Sequence, residues 1–268
     1  MADFLAGDVV FVSSTNRQVG TSNDFIINLN QQITVPNNYD SITLLNASIP
    51  SSWYQITTTN QQFTLTEAKG DNLIYIPIGN YSFQSLGTTL GRLMNGHQNV
   101  YTITSNTVDQ KYYFTSTGAA SLTFTNASPL SLMGFSVGTY VFSNLGGTYY
   151  QASSGVVNFF TIQSILINTD LSNKNSYLGT VTPDVPSNSI LNYNNQAPLW
   201  SSVPMGKRDV ITARFWIVDA ITGKSIDLNG LDFNFTFRIF KKNNYFQKAL
   251  LEMAIDAGKE HIKQQLDS

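Results

Sequence analysis

The sequence lacks cysteine and has little histidine and little charge. Its 268 residues include no Cys and only two His, His97 and His261. Disulfide bonds, cysteine-ligated zinc, thiol catalysis and a metal site built from several histidines are therefore excluded. Charged residues make up 12% of the chain, against about 25% in an average soluble protein.

The charge balance and the hydropathy pattern exclude further classes. A formal net charge of -2 argues against a protein that binds nucleic acid through a broad basic surface. No uninterrupted apolar run reaches the ~18 residues needed to cross a bilayer, so we expect no transmembrane segment. The first residues, Met1–Phe4, have no basic region ahead of an apolar stretch, so we expect no secretory signal peptide.

The abundant residues predict strands rather than helices. There are 27 Asn and 27 Thr but only three Glu, which are Glu67, Glu252 and Glu260. Thr favours strands and Asn favours turns, whereas helical proteins use more Glu. With 42% hydrophobic residues, the chain can also form a sizeable core. We therefore predict an all-β protein whose surface consists of neutral amides and hydroxyls, which suits contact with other proteins.

Short runs separated by turn-forming clusters predict a sandwich or a barrel. The clearest run is the last, because Phe233, Phe235, Phe237 and Ile239 share one face with a period of two. Residues 172–206 contain four prolines and predict a long loop. The other predicted strands are residues 24–30, 41–49, 63–66, 73–78, 111–117 and 121–126 (these two as a meander) and 210–219. Residues 8–14 are a short apolar run, and residues 156–171 are a long β-rich run.

Two segments have the 3–4 residue spacing of amphipathic helices. Residues 82–95 predict a short helix that begins after Ser82 as N-cap and ends before Gly96. Residues 243–268 predict a C-terminal amphipathic helix whose polar face mixes acidic and basic residues. That mixture favours a protein partner over a membrane surface.

A serine in a Gly-x-Ser-x-Gly sequence is a candidate nucleophile. Ser136 lies in Gly134-Phe135-Ser136-Val137-Gly138, which matches the nucleophile elbow of hydrolases. His261 is the only histidine that follows it, and it lies in the predicted tail helix. The elbow also requires a preceding strand and a following helix, and residues 139–150 show no helical period. We interpret the match as a coincidence and keep a serine hydrolase as the less favoured alternative.

Acidic residues offer no clear catalytic or metal site. Asp184, Asp209 and Asp219 could pair for acid–base chemistry, but nothing in the sequence brings them together. Residues 227–232 suggest a calcium loop, yet Leu231 occupies a ligand position and no Glu follows at the twelfth position. We interpret this segment as a turn between strands. The sequence therefore predicts no catalytic, cofactor-binding or metal-binding residues, and no enzyme.

Several short motifs occur in a fixed order between about residues 10 and 240. They are Ser14–Arg17, Asn23–Leu29, Tyr39–Pro50 with Trp53-Tyr54, Ile76–Ser82 followed by Leu86, Leu90 and Leu93, Leu132–Phe135 and Asp227–Phe233. In this order the chain resembles the penton, or vertex, capsid proteins of virophages, Polinton-like viruses and related large DNA viruses. The predicted tail helix has no counterpart in that pattern.

The resemblance implies a fold and a set of partners. It implies a single eight-stranded antiparallel jelly-roll sandwich, five copies of which close each fivefold vertex of an icosahedral capsid beside a double-jelly-roll major capsid protein. By analogy, residues 23–30 would pair with 232–241, and residues 41–50 with 210–219. The implied location is the virion, with assembly inside the host cell. The tail could also bind an internal minor capsid protein.

The same resemblance, combined with the sequence pattern, gives an expected domain organisation. Residues 1–22 would form an N-terminal arm, 23–242 the jelly roll with an insertion at about 79–155, and 243–268 the helical tail. A jelly-roll module that binds carbohydrate or a receptor remains an alternative, because the same fold serves lectins.

Overall fold

The computed structural model describes residues 7–29, 39–173, 177–198, 200–206 and 211–241. These residues form antiparallel strands with two short α-helices, and they divide into two compact units. The first unit is Met1–Trp53 with Ile162–Ser268, and the second is Tyr54–Thr161. The all-β prediction is confirmed.

The elements follow one another in a regular order. The helices are α1 (Phe83–Met94) and α2 (Leu130–Met133), with a 3-10 turn at Ser14–Asn16. The strands are β1 (Gly7–Ser13), β2 (Val19–Thr21), β3 (Asp24–Asn28), β4 (Ser41–Pro50), β5 (Gln62–Glu67), β6 (Gly70–Tyr75), β7 (Tyr101–Asn106), β8 (Lys111–Ser116), β9 (Ala120–Phe124), β10 (Gly138–Val141), β11 (Ser143–Leu145), β12 (Thr148–Ala152), β13 (Ile165–Thr169), β14 (Gly179–Val181), β15 (Ile190–Asn194), β16 (Val203–Pro204), β17 (Thr212–Asp219) and β18 (Asn234–Phe240).

The first unit is a sandwich of two antiparallel sheets with a nested strand order. One sheet runs β1-β18-β4-β15, with β16 paired to β4, and the other runs β14-β13-β17-β3-β2. The outermost pair in sequence is β1 with β18, followed inward by β3 with β17, β4 with β15 and β13 with β14. A chain that pairs from its ends inward and divides over two sheets is a jelly roll. The short strands β2 and β16 are additions to this order.

Alternating apolar residues on the facing strands fill the space between the two sheets. On β18, Phe235, Phe237 and Ile239 are completely buried, as the period of two predicts. Across the sandwich Phe215 of β17 meets Phe235 with ring centroids 4.9 Å apart, and Phe25 of β3 meets Phe233 at 5.7 Å. The first of these edge-on aromatic contacts joins β17 to β18, and the second joins β3, near the start of the chain, to the residue that precedes β18.

Hydrogen bonds attach the segment between β1 and β2 to Asp232 and Phe233, the two residues that precede β18. The Ser14 hydroxyl donates to Asp232 at 2.7 Å and accepts the backbone N–H of Phe233. Arg17 donates to the same Asp232 carboxylate at 2.7 Å. Two of the residues from the Ser14–Arg17 motif thus contact the Asp227–Phe233 motif, although more than 200 residues separate them.

The expected strand pairing is wrong by one strand. Residues 24–28 pair with β17 and not with 232–241, and residues 41–50 pair with β18 and β15 and not with 210–219. The cause is the segment Gly7–Ser13, which was assigned to an N-terminal arm but is the first strand of the sandwich. It occupies the free side of β18 and shifts every later pairing by one strand.

Two further predictions of local structure are corrected. Residues 172–206 are not one loop, because they contain β14, β15 and β16, which complete the sheets between prolines. Residues 111–117 and 121–126 are both strands, but they do not form a meander. β8 pairs with β7 and β12, whereas β9 pairs with β5 and β10.

The second unit has its own core and two antiparallel sheets, β10-β9-β5-β6 and β11-β12-β8-β7. It begins before the expected insertion limit of residue 79, since β5 pairs with β9 of the same unit. The predicted helix at 82–95 is confirmed as α1. Ser82 caps it by accepting the N–H of Ser85, and Leu86 and Leu90 are buried on its inner side.

Some predictions fall on residues that the structure does not describe. The tail helix at 243–268, including His261, and residues 1–6 of the expected arm lie outside the described residues. Within the described part of the chain, no helix has the length and apolar character of a membrane span.

Phe235 tests the aromatic contact between the sheets. Its side chain is fully buried, so Phe235→Ala should lower the free energy of unfolding by about 3–5 kcal/mol through lost burial and a residual cavity. Phe160→Ala removes the same ring from a site in the second unit that is 76% exposed and should cost less than about 1 kcal/mol. Urea unfolding of both variants measures the difference, and equal losses would contradict this view of the core.

Candidate functional site

The residues around Ser136 do not form a nucleophile elbow. Gly134 ends α2 in the left-handed region with φ 69°, and Ser136 is followed by β10 rather than by a helix. The backbone N–H of Ser136 donates to the Tyr140 hydroxyl at 3.2 Å. Within the described residues no histidine is hydrogen bonded to the Ser136 side chain, and His261 lies outside them. The sequence match therefore marks a helix end and a turn.

The acidic candidates from the sequence analysis make local hydrogen bonds, are exposed to solvent or lie outside the described residues. Asp219 is buried, and its carboxylate accepts the N–H and hydroxyl of Thr222. Asp184 is exposed, and Asp209 lies outside the described residues. In the 227–232 segment Asp227 accepts the N–H of Asn229, which has a positive φ of 52°, so the segment is a turn. Among the described residues no three His, Asp or Glu side chains are grouped as metal ligands.

Glu67 is a buried carboxylate that the sequence analysis did not single out. It is 6% exposed at the end of β5. It accepts the backbone N–H groups of Gln98 and Asn99 at 3.0 and 2.8 Å and the Tyr101 hydroxyl at 2.9 Å. Burial alone would raise the pKa of Glu67, but these donors stabilise the carboxylate and the net pKa is lowered. Glu67 thus holds the 98–101 segment against the sheet.

The face that β1 and β18 turn away from the core is the most unusual surface of the first unit. Val9 and Phe11 on β1 are 47% and 50% exposed, and Arg238 lies opposite Val9 on β18. Among the described residues, the Arg238 Nε atom is buried without a hydrogen-bond partner. Leaving a buried donor unpaired costs about 1–3 kcal/mol. We call this surface, defined by Val9, Phe11 and Arg238, the β1–β18 face.

The strand order gives the β1–β18 face a second feature. β1 lies at the end of its sheet and pairs, within the described residues, with β18 alone. Its other edge offers backbone groups to an additional strand or loop. The alternation of residues 233–240 in the sequence predicts that Arg238 lies on the face of β18 that points away from the core. The sequence did not predict that, among the described residues, the Arg238 Nε atom lacks a hydrogen-bond partner.

Comparisons with known proteins show a structural likeness. No protein-family model and no curated protein sequence matches the chain. The fold is similar to the crystal structure of the selenomethionine-labelled mavirus penton protein, with 10% sequence identity and a TM-score of 0.46. The similarity covers 86% of this chain and 99% of that chain. At this level of likeness, the function has to be inferred from the residues of this chain.

Replacing Glu67 tests its role in stability. Glu67→Gln should lower the free energy of unfolding near neutral pH by about 2 kcal/mol, because an amide N–H₂ then faces backbone donors. The folded-state pKa is lowered, so the stabilisation is present above the ordinary value of 4.5 and is lost as the pH falls through the folded-state pKa. Urea unfolding at about pH 7 and about pH 3 should therefore show a difference between variant and parent that shrinks in acid.

Asp71→Asn on the neighbouring strand β6 is the matched control. Asp71 is exposed and accepts a hydrogen bond from the Thr66 hydroxyl. This substitution should change stability by less than about 0.5 kcal/mol. An effect as large as that of Glu67→Gln would show that general loss of negative charge, and not the buried cluster, matters.

Proposed function

We propose that this chain is a structural, non-catalytic capsid protein that forms homopentamers at the fivefold vertices of an icosahedral shell. Its neighbours would be copies of a double-jelly-roll major capsid protein. The observation that carries the proposal is the nested jelly-roll order of the first unit, a fold that many viral capsid subunits use. Because a fold alone does not assign a function, the proposal also rests on the sequence motifs and on the surface of the first unit.

The motifs that resemble penton proteins lie at defined places of this frame. Residues 23–29 contain β3, residues 39–50 contain β4, and residues 227–233 lead into β18. Two of the motifs are joined directly by the hydrogen bonds of Ser14 and Arg17 to Asp232. These motifs of the resemblance lie in segments that build the sandwich, whereas Ile76–Ser82 and Leu132–Phe135 belong to the second unit.

The β1–β18 face supports contact between copies. A closed ring uses two different patches on every subunit, joined head to tail. Among the described residues, this face combines exposed apolar side chains, a guanidinium Nε atom without a hydrogen-bond partner and a strand edge to which no described strand is paired. An adjoining copy would bury this face. The low charge of the chain favours such burial, since few charges need to be stripped of water. Permanent interfaces of this kind bury about 2,000 Å² or more.

A jelly-roll module that binds carbohydrate is the second candidate function. One observation favours it specifically, namely an uncharged, aromatic-lined pocket at the edge of the sandwich. The two functions are compatible, because a capsid vertex is exposed to the cell surface. The pocket is treated in the next subsection.

The mass of the purified protein tests the assembly. We expect a pentamer of about 148 kDa, five times the chain mass of 29.6 kDa, in light scattering or native mass spectrometry, alone or with the shell protein. Phe11→Asp places a charge in the β1–β18 face and should shift the mass towards the monomer. Val108→Asp, at a site 92% exposed in the second unit, should leave it unchanged. A folded chain that stays monomeric under both conditions would overturn the proposal.

The C-terminal segment gives a separate test. From its amphipathic sequence we propose that residues 243–268 bind an internal protein or an adjacent subunit of the particle. Deleting these residues should leave the thermal unfolding midpoint of the isolated subunit within a few degrees of the parent, while assembly with the shell weakens. A large drop in that midpoint would show instead that the segment packs on its own subunit.

A further inference from the structure

A pocket of about 500 Å³ lies at one edge of the first unit. It forms where β14, the edge strand of one sheet, comes near β15 and β16 at the edge of the other. A volume between about 300 and 1,000 Å³ is typical of sites for small ligands. The pocket therefore has the size of a ligand site, and it lies at the edge of the sandwich rather than inside its core.

The lining of the pocket is aromatic and uncharged. Three rings, Tyr177, Tyr193 and Trp200, stand among the neutral polar side chains Thr180, Asn195 and Ser201. No charged side chain lines the described pocket. Among these described residues a phosphate, sulfate or carboxylate would find no countercharge, so they favour a neutral ligand over an anionic one. A purely apolar ligand is disfavoured too, since it would bury hydroxyl groups without partners.

Two of the three aromatic rings are exposed, whereas Tyr193 is partly buried and packs against the core of the sandwich. Trp200 is 83% exposed and Tyr177 is 46% exposed. Among the described residues none of the three rings stacks on another aromatic ring, in contrast to Tyr113 and Tyr150 of the second unit, whose centroids are 5.8 Å apart. An indole this exposed contributes little to the core and offers a flat apolar face to a partner.

The wall that carries Trp200 is fixed to the sandwich in advance. The Asn195 amide nitrogen donates to the carbonyl of Leu44 on β4 at 2.7 Å and to the Ser201 hydroxyl at 2.6 Å. Its amide oxygen accepts the N–H of Ala197 at 3.0 Å. Because these bonds form without ligand, little order has to be imposed on binding. Asn195 is therefore a positioning residue for the pocket.

We propose that this pocket binds a neutral saccharide. A sugar ring carries C–H groups on one face, which pack on an indole or phenol ring, and hydroxyls around its rim, which bond neutral donors and acceptors. Trp200 supplies the ring face, and Tyr177, Tyr193 and Thr180 supply hydroxyls. This ligand class matches both the aromatic and the uncharged character of the site. The inference extends beyond vertex assembly and does not depend on it.

The test begins with the full-length protein on an array of neutral mono- and oligosaccharides built from glucose, galactose, mannose and N-acetylhexosamines. Sialylated and sulfated glycans serve as anionic comparisons. We expect at least one neutral glycan to bind and the charged comparisons to bind no better. The free sugar of each positive is then titrated in solution while tryptophan fluorescence is followed.

Variants assign the binding to the pocket. Trp200→Ala should weaken binding at least about tenfold and should abolish the fluorescence change, although Trp53 and Trp216 remain. Tyr177→Phe keeps the ring and should weaken binding about threefold through the lost hydroxyl. Tyr75→Ala is the control, because this ring is 53% exposed in the second unit, and its binding should equal that of the parent. Circular dichroism verifies that each variant is folded.

Three results would overturn the proposal. One is the absence of binding by every neutral saccharide at about 10 mM, a concentration that detects affinities of roughly -3 kcal/mol. Another is unchanged binding by Trp200→Ala. The third is loss of self-association in Trp200→Ala without any saccharide binding, which would make the pocket an interface between copies. The mass measurement on the parent protein separates this last result from a failure of the assembly proposal.

Discussion

The contact between phenylalanines of opposite sheets holds the first unit together. Phe235 and Phe237 of β18 meet Phe215 of β17, and Phe233 meets Phe25 of β3. Every one of these rings is almost completely buried. Phe25 lies near the start of the chain and the other four rings lie near its end, so this part of the core cannot be completed before the two ends meet. The nested pairing, the hydrogen bonds of Ser14 and the position of the β1–β18 face all depend on that meeting.

A good part of the fold could be predicted from the residues. The period of two in residues 233–239 identified β18 and its buried face, and the spacing of Leu86 and Leu90 identified α1 with its cap at Ser82. These signals are local, because alternation and capping depend on neighbours in sequence. The abundance of Asn and Thr correctly indicated strands and turns throughout.

The sequence did not reveal which strand pairs with which. Gly7–Ser13 has the composition of a strand, but whether it lies free or beside β18 depends on residues more than 220 positions away. β14 and β15 are short and lie between prolines, so their composition resembles a loop, and only their neighbours in the sheets make them strands. The β1–β18 face and the pocket could not be predicted from the sequence for the same reason. Neither the lone Nε of Arg238 nor the grouping of Trp200 with Tyr177 and Tyr193 is a property of a local segment.

The pairing of the first strand with the last has a consequence for how subunits are selected. A chain cut short before Asn234 would lose β18, and with it the central partner of both β1 and β4. No smaller sandwich is available to such a fragment, because the half of the core on that strand would be missing as well. Incomplete copies would thus stay unfolded and be degraded instead of persisting as partly folded molecules, so the strand pairing itself selects for complete chains.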